Sequence, residues 1–396
     1  MTLSSMPFAL NPHISCLAAP VIPTVAAWAS SYDGRHGPLL GFSQAVPGYP
    51  PPDELLTALA QAAGDASLCG YGPIPGEAVL RQAYAEMVNG LYHSTIDSRH
   101  VQITAGCNQA FGITVQALAA PGDTVALVEP FYFNHQTTLL SLGLRCLTVQ
   151  AQPERGFVPD LDDIAAVLRQ GVRALVLISP NNPCGAIYPP ALIGDIAALC
   201  RQHGTWLLVD ETYRDFIAPG AGAPHRLLDD AGWQDHIALL YSFSKSFCVP
   251  GHRLGALVAG PRLLAEALKI MDNLQICAAR APQVAVAGAI EPLTTWRDSN
   301  RTEVARRAAA LRSALPAAPG WRLEALGAYF AYVRHPFDGV SSIRVAEKLA
   351  REQGVLTVPG EFFGPHQHPY LRVAFANADV PQIEQLPARL AACSAP

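Results

Sequence analysis

The sequence predicts an α/β protein, with a mainly parallel, seven-stranded type of sheet flanked by helices and a smaller α+β domain after it. Three observations carry this. Continuous apolar segments alternate with helix-like stretches, as strands buried on both faces do in parallel sheets. The chain has 396 residues, too many for one ordinary core. Its chemically capable residues also fall where the apolar segments end, the edge at which open α/β sheets build their sites.

Residues 1–48 are proline-marked and are expected to form an irregular arm belonging to the smaller domain. Residues 49–293 are assigned to the large domain. It opens with a helix from Pro51 to about Ala63, with acids in the first turn to complement the helix dipole. The loop Gly70-Tyr-Gly-Pro-Ile-Pro-Gly76 precedes an amphipathic helix from Glu77 to Leu91. Strands are expected at His100 to Thr104, Thr124 to Val128, Arg145 to Val149, Ala174 to Ile178, Trp206 to Val209, Ile237 to Tyr241 and Leu254 to Val258. Helices are expected between most of them, including Asp160 to Arg169 and Pro190 to His203. Residues 294–396 read as a long helix, Thr294 to Leu315, then a small domain with strands at Tyr329 to Val333, Val355 to Val358 and Leu371 to Phe375. Arg280 is placed in a loop after a helix ending near Ile276, where an exposed arginine is favoured over one that recognises a phosphate or an acidic side chain.

Composition excludes several functions. Half the residues are hydrophobic and the formal net charge is −5 without runs of like charge, which argues against nucleic-acid or membrane-surface binding. Nine scattered cysteines without C-x-x-C spacing suit reduced thiols in a cytoplasm, with no metal site. The pair His366-x-His368 lacks Cys or acidic neighbours and reads as loop. The amino end has no basic segment of a signal peptide, and no apolar run is long enough to span a bilayer.

The chemistry centres on Tyr241-Ser-Phe-Ser-Lys245, with Arg253 eight positions beyond the lysine. Only three lysines occur in the chain, and Lys269 and Lys348 lie on helix-like runs where solvation explains them. Lys245 instead ends an apolar strand among hydroxyls, where burial lowers an amine's pKa and makes it nucleophilic. A fixed arginine and serines suit a phosphate. Together they describe a seat for a phosphorylated aldehyde, with pyridoxal 5'-phosphate the obvious one. Ser242-x-x-Lys245 also fits the S-x-x-K of penicillin-recognising serine enzymes, but none of the three lysines begins the K-T-G that should accompany it.

Further motifs stand in order along the chain: Ala105-Gly-Cys-Asn-Gln-Ala110 opening a helix, Glu129-Pro-Phe-Tyr132, Ser179-Pro-Asn-Asn-Pro-Cys-Gly185, Val209-Asp210-Glu-Thr-Tyr213 and Tyr370-Leu-Arg372. With Tyr71 and the Lys245/Arg253 segment, the set resembles the class I/II aminotransferases of pyridoxal-phosphate fold type I, from about residue 40 to 390. The resemblance implies that Lys245 forms the internal aldimine and then moves a proton at the substrate. Asp210 would pair with the pyridine nitrogen, and Tyr213 and Asn182 would bond the ring's phenolic oxygen. Tyr132 would lie against the ring, although an aromatic after proline is more often core. Gly106, Cys107, Asn108, Ser242, Ser244 and Arg253 would hold the phosphate, with Tyr71 reaching across a dimer interface. Arg372 would grip the substrate carboxylate, and Ala45 lies in the segment expected beside the substrate, where many members have a glycine.

The implied activity is transfer of an amino group from an L-amino acid to a 2-oxo acid, by ping-pong kinetics in a cytoplasmic homodimer. A C–S lyase, a cyclising synthase or an oxidase on the same fold would keep the same motifs. An effector domain of a transcription regulator would need a basic DNA-binding domain ahead of the fold, for which about forty residues leave no room. Tyr329, Phe330, Phe362 and Phe363 are the aromatic candidates for a substrate pocket, with a core role as the ordinary alternative.

Overall fold

In the computed structural model, which describes residues 8–218 and 220–396, three sheets organise the chain. The first seven residues, on which part of the amino-end reading rests, lie outside these. The arm holds a short helix α1 (Pro12–Ser15), helix α2 (Val21–Trp28) and strand β1 (Leu40–Gly41). Helices α3 (Asp53–Ala63) and α4 (Ala78–Tyr92) follow, then β2 (Val101–Thr104), α5 (Cys107–Leu118), β3 (Thr124–Glu129), α6 (Phe133–Ser141) and β4 (Arg145–Gln150). The alternation continues with α7 (Leu161–Leu168), β5 (Ala174–Ile178), α8 (Pro190–Gln202), β6 (Trp206–Asp210), β7 (Ile237–Ser242), the one-turn α9 (Phe243–Ser246) and β8 (Gly255–Ala259).

These strands form one sheet in the order β2-β8-β7-β6-β5-β3-β4. Neighbours from β4 through β7 are parallel, while β8 is antiparallel to both β7 and β2. All five residues of β5 and of β8 are buried, which explains why these strands read as unbroken apolar runs. One hydrophobic cluster, with Leu175, Leu207 and Leu239, packs on one face, and another, with Val176, Leu208 and Leu240, on the other. Alternation along each strand produces this division.

Beyond the sheet come α10 (Pro261–Leu274), α11 (Arg280–Ala289) and the long α12 (Thr294–Ala314). The remainder is β9 (Arg322–Gly327), β10 (Phe330–Arg334), α13 (Ser342–Lys348), β11 (Val355–Leu356), β12 (Val358–Pro359), β13 (Tyr370–Ala374) and α14 (Val380–Ala391). An antiparallel sheet of order β12-β13-β10-β9 forms here, and β1 pairs in parallel with β11. Leu40 and Phe42 share a core cluster with Val333, Val355 and Leu371, so the arm is packed on the carboxyl-terminal unit.

Two helices depart from the sequence expectation. The arm is not irregular throughout, because Val21–Trp28 is helical, and Arg280 is the first residue of α11 rather than a loop residue. Both helices carry proline in their third position, Pro23 and Pro282. Proline lacks only an N–H that has no partner in the first turn, so it is tolerated there and does not mark a loop. Arg280 is also not exposed: its Nε lies 2.6 Å from Glu77 Oε1, and its side chain is 20% accessible. Strand β9 escaped notice because its residues are only half-buried at the edge of the small sheet.

Candidate active site

The carboxyl ends of β5, β6 and β7 converge on a cavity of about 320 Å³ that is also lined by the start of α5 and by Arg372 of β13. It contains twelve of the fourteen residues proposed from the sequence except that Gly106 only borders it: Cys107, Asn108, Tyr132, Asn182, Asp210, Tyr213, Ser242, Ser244, Lys245, Arg253, Arg372 and Ala45 line it. Tyr71 does not, and stands 82% exposed away from its own chain's cavity.

Lys245 follows β7 in α9, whose start is capped by Ser242 Oγ accepting from Ser244 N at 3.3 Å. The lysine is turned inward, and Nζ donates to the carbonyl of Ala45 at 2.6 Å. Burial, and then the positive charges of Arg253 and Arg372, bring its pKa down to about 8. A larger neutral fraction of amine near physiological pH is what a nucleophile needs.

Asp210 ends β6. Its Oδ1 accepts from Thr212 N at 2.9 Å, and its Oδ2 lies 3.3 Å from His135 Nε2. Burial works to raise the carboxyl pKa, but the His135 ring and the Thr212 contacts outweigh it and hold the group below its ordinary value. His135 was not singled out in the sequence. It lies three residues after Tyr132 in the first turn of α6, buried, stacked on Phe111 at 4.0 Å and edge-on to Tyr132 at 5.4 Å. The i, i+3 spacing from Tyr132 is the one signal that could have found it.

Arg372 is 2% exposed, so its surface-strand alternative fails. Nη1 donates to Asn182 Oδ1 at 2.9 Å and Nη2 to the Ser43 carbonyl, while Nε has no partner among the described residues. No carboxylate among the described residues pairs with it, and burial lowers its pKa to about 10. Its guanidinium carbon instead sits over the rings of Phe330 and Phe363, at 5.1 and 5.2 Å. A buried guanidinium with spare donors and no anion is suited to a carboxylate brought by a ligand. Of the four aromatics suggested for the pocket, none lines the cavity, and Phe133 does so instead.

At the other end, Arg253 reaches the Pro250 carbonyl (3.2 Å) and the Ala105 carbonyl (3.4 Å). Ser244 Oγ is buried without a partner among the described residues. Gly106 caps α5 with φ +84°, and a β-carbon there would overlap Arg253 Nη2. Gly255 is needed for a related reason, since a side chain would meet the Gly106 backbone. Free helix-start amides, an arginine and an unsatisfied hydroxyl make an anion seat.

A reactive amine, an ionised carboxylate and an anion seat around one cavity define a cofactor-dependent enzyme of amino-group chemistry. A model of the family "Aminotransferase class I and II" matches residues 38–390, and the chain belongs to that family. The arginine–pyruvate transaminase AruH of Pseudomonas aeruginosa is 31% identical over 85% of this chain and 86% of its own. The aromatic aminotransferase ISS1 of Arabidopsis thaliana is 29% identical over 89% and 88%. Among solved structures, an aminotransferase from Mycobacterium tuberculosis superposes with TM-score 0.88 at 26% identity, covering 97% of this chain and 98% of that one. The aspartate aminotransferase of Thermus thermophilus with maleate gives TM-score 0.88 at 23% identity over 97% and 99%.

The protein is therefore a pyridoxal-phosphate-dependent aminotransferase, acting on amino acids and 2-oxo acids. The residues present fit the cofactor, on the unpartnered Ser244 hydroxyl, the close Gly106–Arg253 approach and the buried amine. No helix among the described residues is long and apolar enough to cross a membrane.

Proposed function

We propose that this aminotransferase takes amino donors with neutral, largely apolar side chains and works as a cytoplasmic homodimer. The observation that carries the substrate class is the set of cations in the cavity, which consists of Lys245, Arg253 and Arg372. Each has another use, so a second substrate carboxylate would find no positive partner and would be desolvated at a cost. Ile22, Val46 and Phe133 add apolar wall, with Gln44 as a neutral polar group. Arg280, in a region that the family resemblance directs towards a neighbouring subunit, is already committed to Glu77.

Pyridoxal phosphate, when bound, supplies an electron sink for negative charge at the substrate's α-carbon. Lys245 would hold the cofactor through its amine and would serve as the base for the proton at that carbon. Asp210, kept anionic beside His135, would hold a proton on the ring nitrogen. Asn182 and Tyr213 are assigned to the ring's phenolic oxygen and Tyr132 to its face. Gly106, Cys107, Asn108, Ser242, Ser244 and Arg253 are assigned to the phosphate. Arg372, steadied by Asn182 and Ser43, takes the α-carboxylate, and the Ala45 carbonyl holds the Lys245 amine. Amino donor and 2-oxo acid acceptor would occupy this one site in turn, the donor leaving as its own 2-oxo acid before the acceptor enters, in ping-pong order.

Support for the dimer comes from Tyr71, exposed outside its own cavity, and from exposed Leu56 and Leu274. None of the nine cysteines is in a disulfide, which suits a reducing compartment. The test is a half-reaction screen by absorbance with the loaded enzyme. Bleaching of the ~420 nm band by leucine, methionine or phenylalanine, reversed by a 2-oxo acid, supports the proposal. Faster conversion of aspartate or glutamate would overturn the substrate class, and ammonia release without an acceptor would indicate a lyase.

A further inference from the structure

Glu129 ends β3, three residues before Tyr132, and its side chain is wholly buried. Neither the cavity nor the proposed chemistry uses it. Its carboxylate is taken up by one short segment of the carboxyl-terminal unit. Oε1 accepts from His366 N at 2.8 Å and from Gln367 Nε2 at 3.0 Å, and Oε2 lies 3.1 Å from His366 Nδ1. Gly364, with φ +146°, lies directly on it, since a β-carbon there would overlap the carboxylate. Two residues further along, Phe131 N donates to the Phe363 carbonyl at 3.0 Å. The strand end of the large sheet thus grips residues 363–367 by side chain and backbone together.

That segment leads into β13, which carries Arg372, and the Phe363 ring lies under the Arg372 guanidinium at 5.2 Å. Gln367 is tied on its other side to Tyr332 of β10, whose hydroxyl donates to Gln367 Oε1 at 3.1 Å. We propose that Glu129 is a positioning residue for the substrate carboxylate: by fixing residues 363–367 it sets the ring that backs Arg372, and so the place where the guanidinium meets its ligand. The inference rests on Arg372 binding that carboxylate, and not on the side-chain class of the donor. The grip is directed to the substrate end of the site: it runs to β13, which carries Arg372, and none of its hydrogen bonds involves Lys245 or Arg253.

The experiment compares Glu129→Ala, Glu129→Gln and Phe363→Leu in the loaded enzyme, using whichever donor the wild type converts best. Losing charge-assisted bonds at a positioning site is expected to raise KM for donor and acceptor ~10-fold or more with kcat within ~3-fold. The inhibition constant of a simple monocarboxylate should rise in parallel. Glu129→Gln keeps an acceptor for His366 N and Gln367 Nε2 and should recover most of the loss. Phe363→Leu keeps the grip but removes the ring, and should repeat the KM effect. Cofactor affinity, read by fluorescence titration of the apoenzyme, should not move in any variant. A fall in kcat or cofactor affinity with KM unchanged would overturn the proposal, as would Gln behaving like Ala. If Glu129→Ala does not fold, an unchanged KM in Phe363→Leu overturns it alone. A wild type that prefers acidic donors counts against the substrate class only.

Discussion

Asp210 and Glu211 are adjacent carboxylates at the end of β6 that serve separate surroundings. Asp210 lines the cavity, while Glu211 is bonded to Tyr92, to His225 Nε2 at 2.9 Å and to Arg214 Nη1 at 2.8 Å, with neither Glu211 nor Arg214 reaching solvent. Arg214 in turn lies over the Tyr241 ring at 4.3 Å, and Tyr241 bonds Ser246, the neighbour of Lys245. One residue of the pair faces the ligand and the other braces the strand ends that carry it.

Breaking the brace should therefore cost stability with a defined pH signature. Burial works to raise the Glu211 pKa, but Arg214 and His225 outweigh it and lower the value from 4.5 to about 2. An acid depressed in the fold stabilises it fully above the unfolded value, and loses that effect as pH falls through the folded one. Glu211→Gln is expected to lose about 3 kcal/mol at pH 7, measured by urea unfolding. The gap should narrow as pH drops below 4.5 towards 2. A gap that stays constant down to pH 3 would contradict this assignment.

The Lys245 amine, with its pKa near 8, should be captured by added pyridoxal phosphate faster as pH rises, because only the neutral amine attacks. Stopped-flow absorbance of the apoenzyme should show this rate levelling off above pH 8. Lys245→Ala should lose at least ~10⁴ in kcat and retain no cofactor after borohydride reduction. A variant that is still labelled covalently would sink the role given to Lys245.

Arg372→Met should lower kcat/KM by ~10³ or more through the donor's carboxylate. The same change removes a buried cation without a counter-charge, and so should leave the ligand-free protein as stable or more stable. Thermal unfolding and steady-state kinetics on one preparation test both arms, and a variant that is both active and destabilised contradicts them.

Gly106→Ala is expected to weaken cofactor binding ~10-fold or more, since the added carbon displaces Arg253 and the left-handed backbone disfavours a side chain. Equilibrium dialysis gives the answer directly. Unchanged affinity would mean that the Gly106–Arg253 approach has no part in holding the phosphate.

The site was legible in the sequence wherever a residue's role is tied to a strand end. Lys245, Asp210 and Asn182 stand just beyond the apolar runs that became β7, β6 and β5, so local pattern located them. Contributions that depend on long-range packing left no such trace. Beyond their spacing from Tyr132, nothing local marks the roles of His135 and Glu129, whose partners lie 75 residues or more away along the chain, as in His135–Asp210 and Glu129–His366. Ile22 was hidden because Pro23 made a helical segment look irregular. Phe330 and Phe363 are pocket candidates in the sequence with core as their ordinary role, and the structure buries both, beneath Arg372.

The pairing of β1 with β11 has a consequence for how the molecule is made. Leu40 and Gly41 leave the ribosome well before their partners Val355 and Leu356, and before Arg372, whose guanidinium bonds the Ser43 carbonyl. A nascent chain that has emerged only to Val340 already carries every strand of the seven-stranded sheet. Its amino-terminal segment, however, has no strand to join, and nothing yet secures the Ala45 carbonyl over the Lys245 amine. The order of synthesis thus allows the scaffold strands to be complete while Lys245 is still open to a soluble aldehyde cofactor, until β11 and β13 follow.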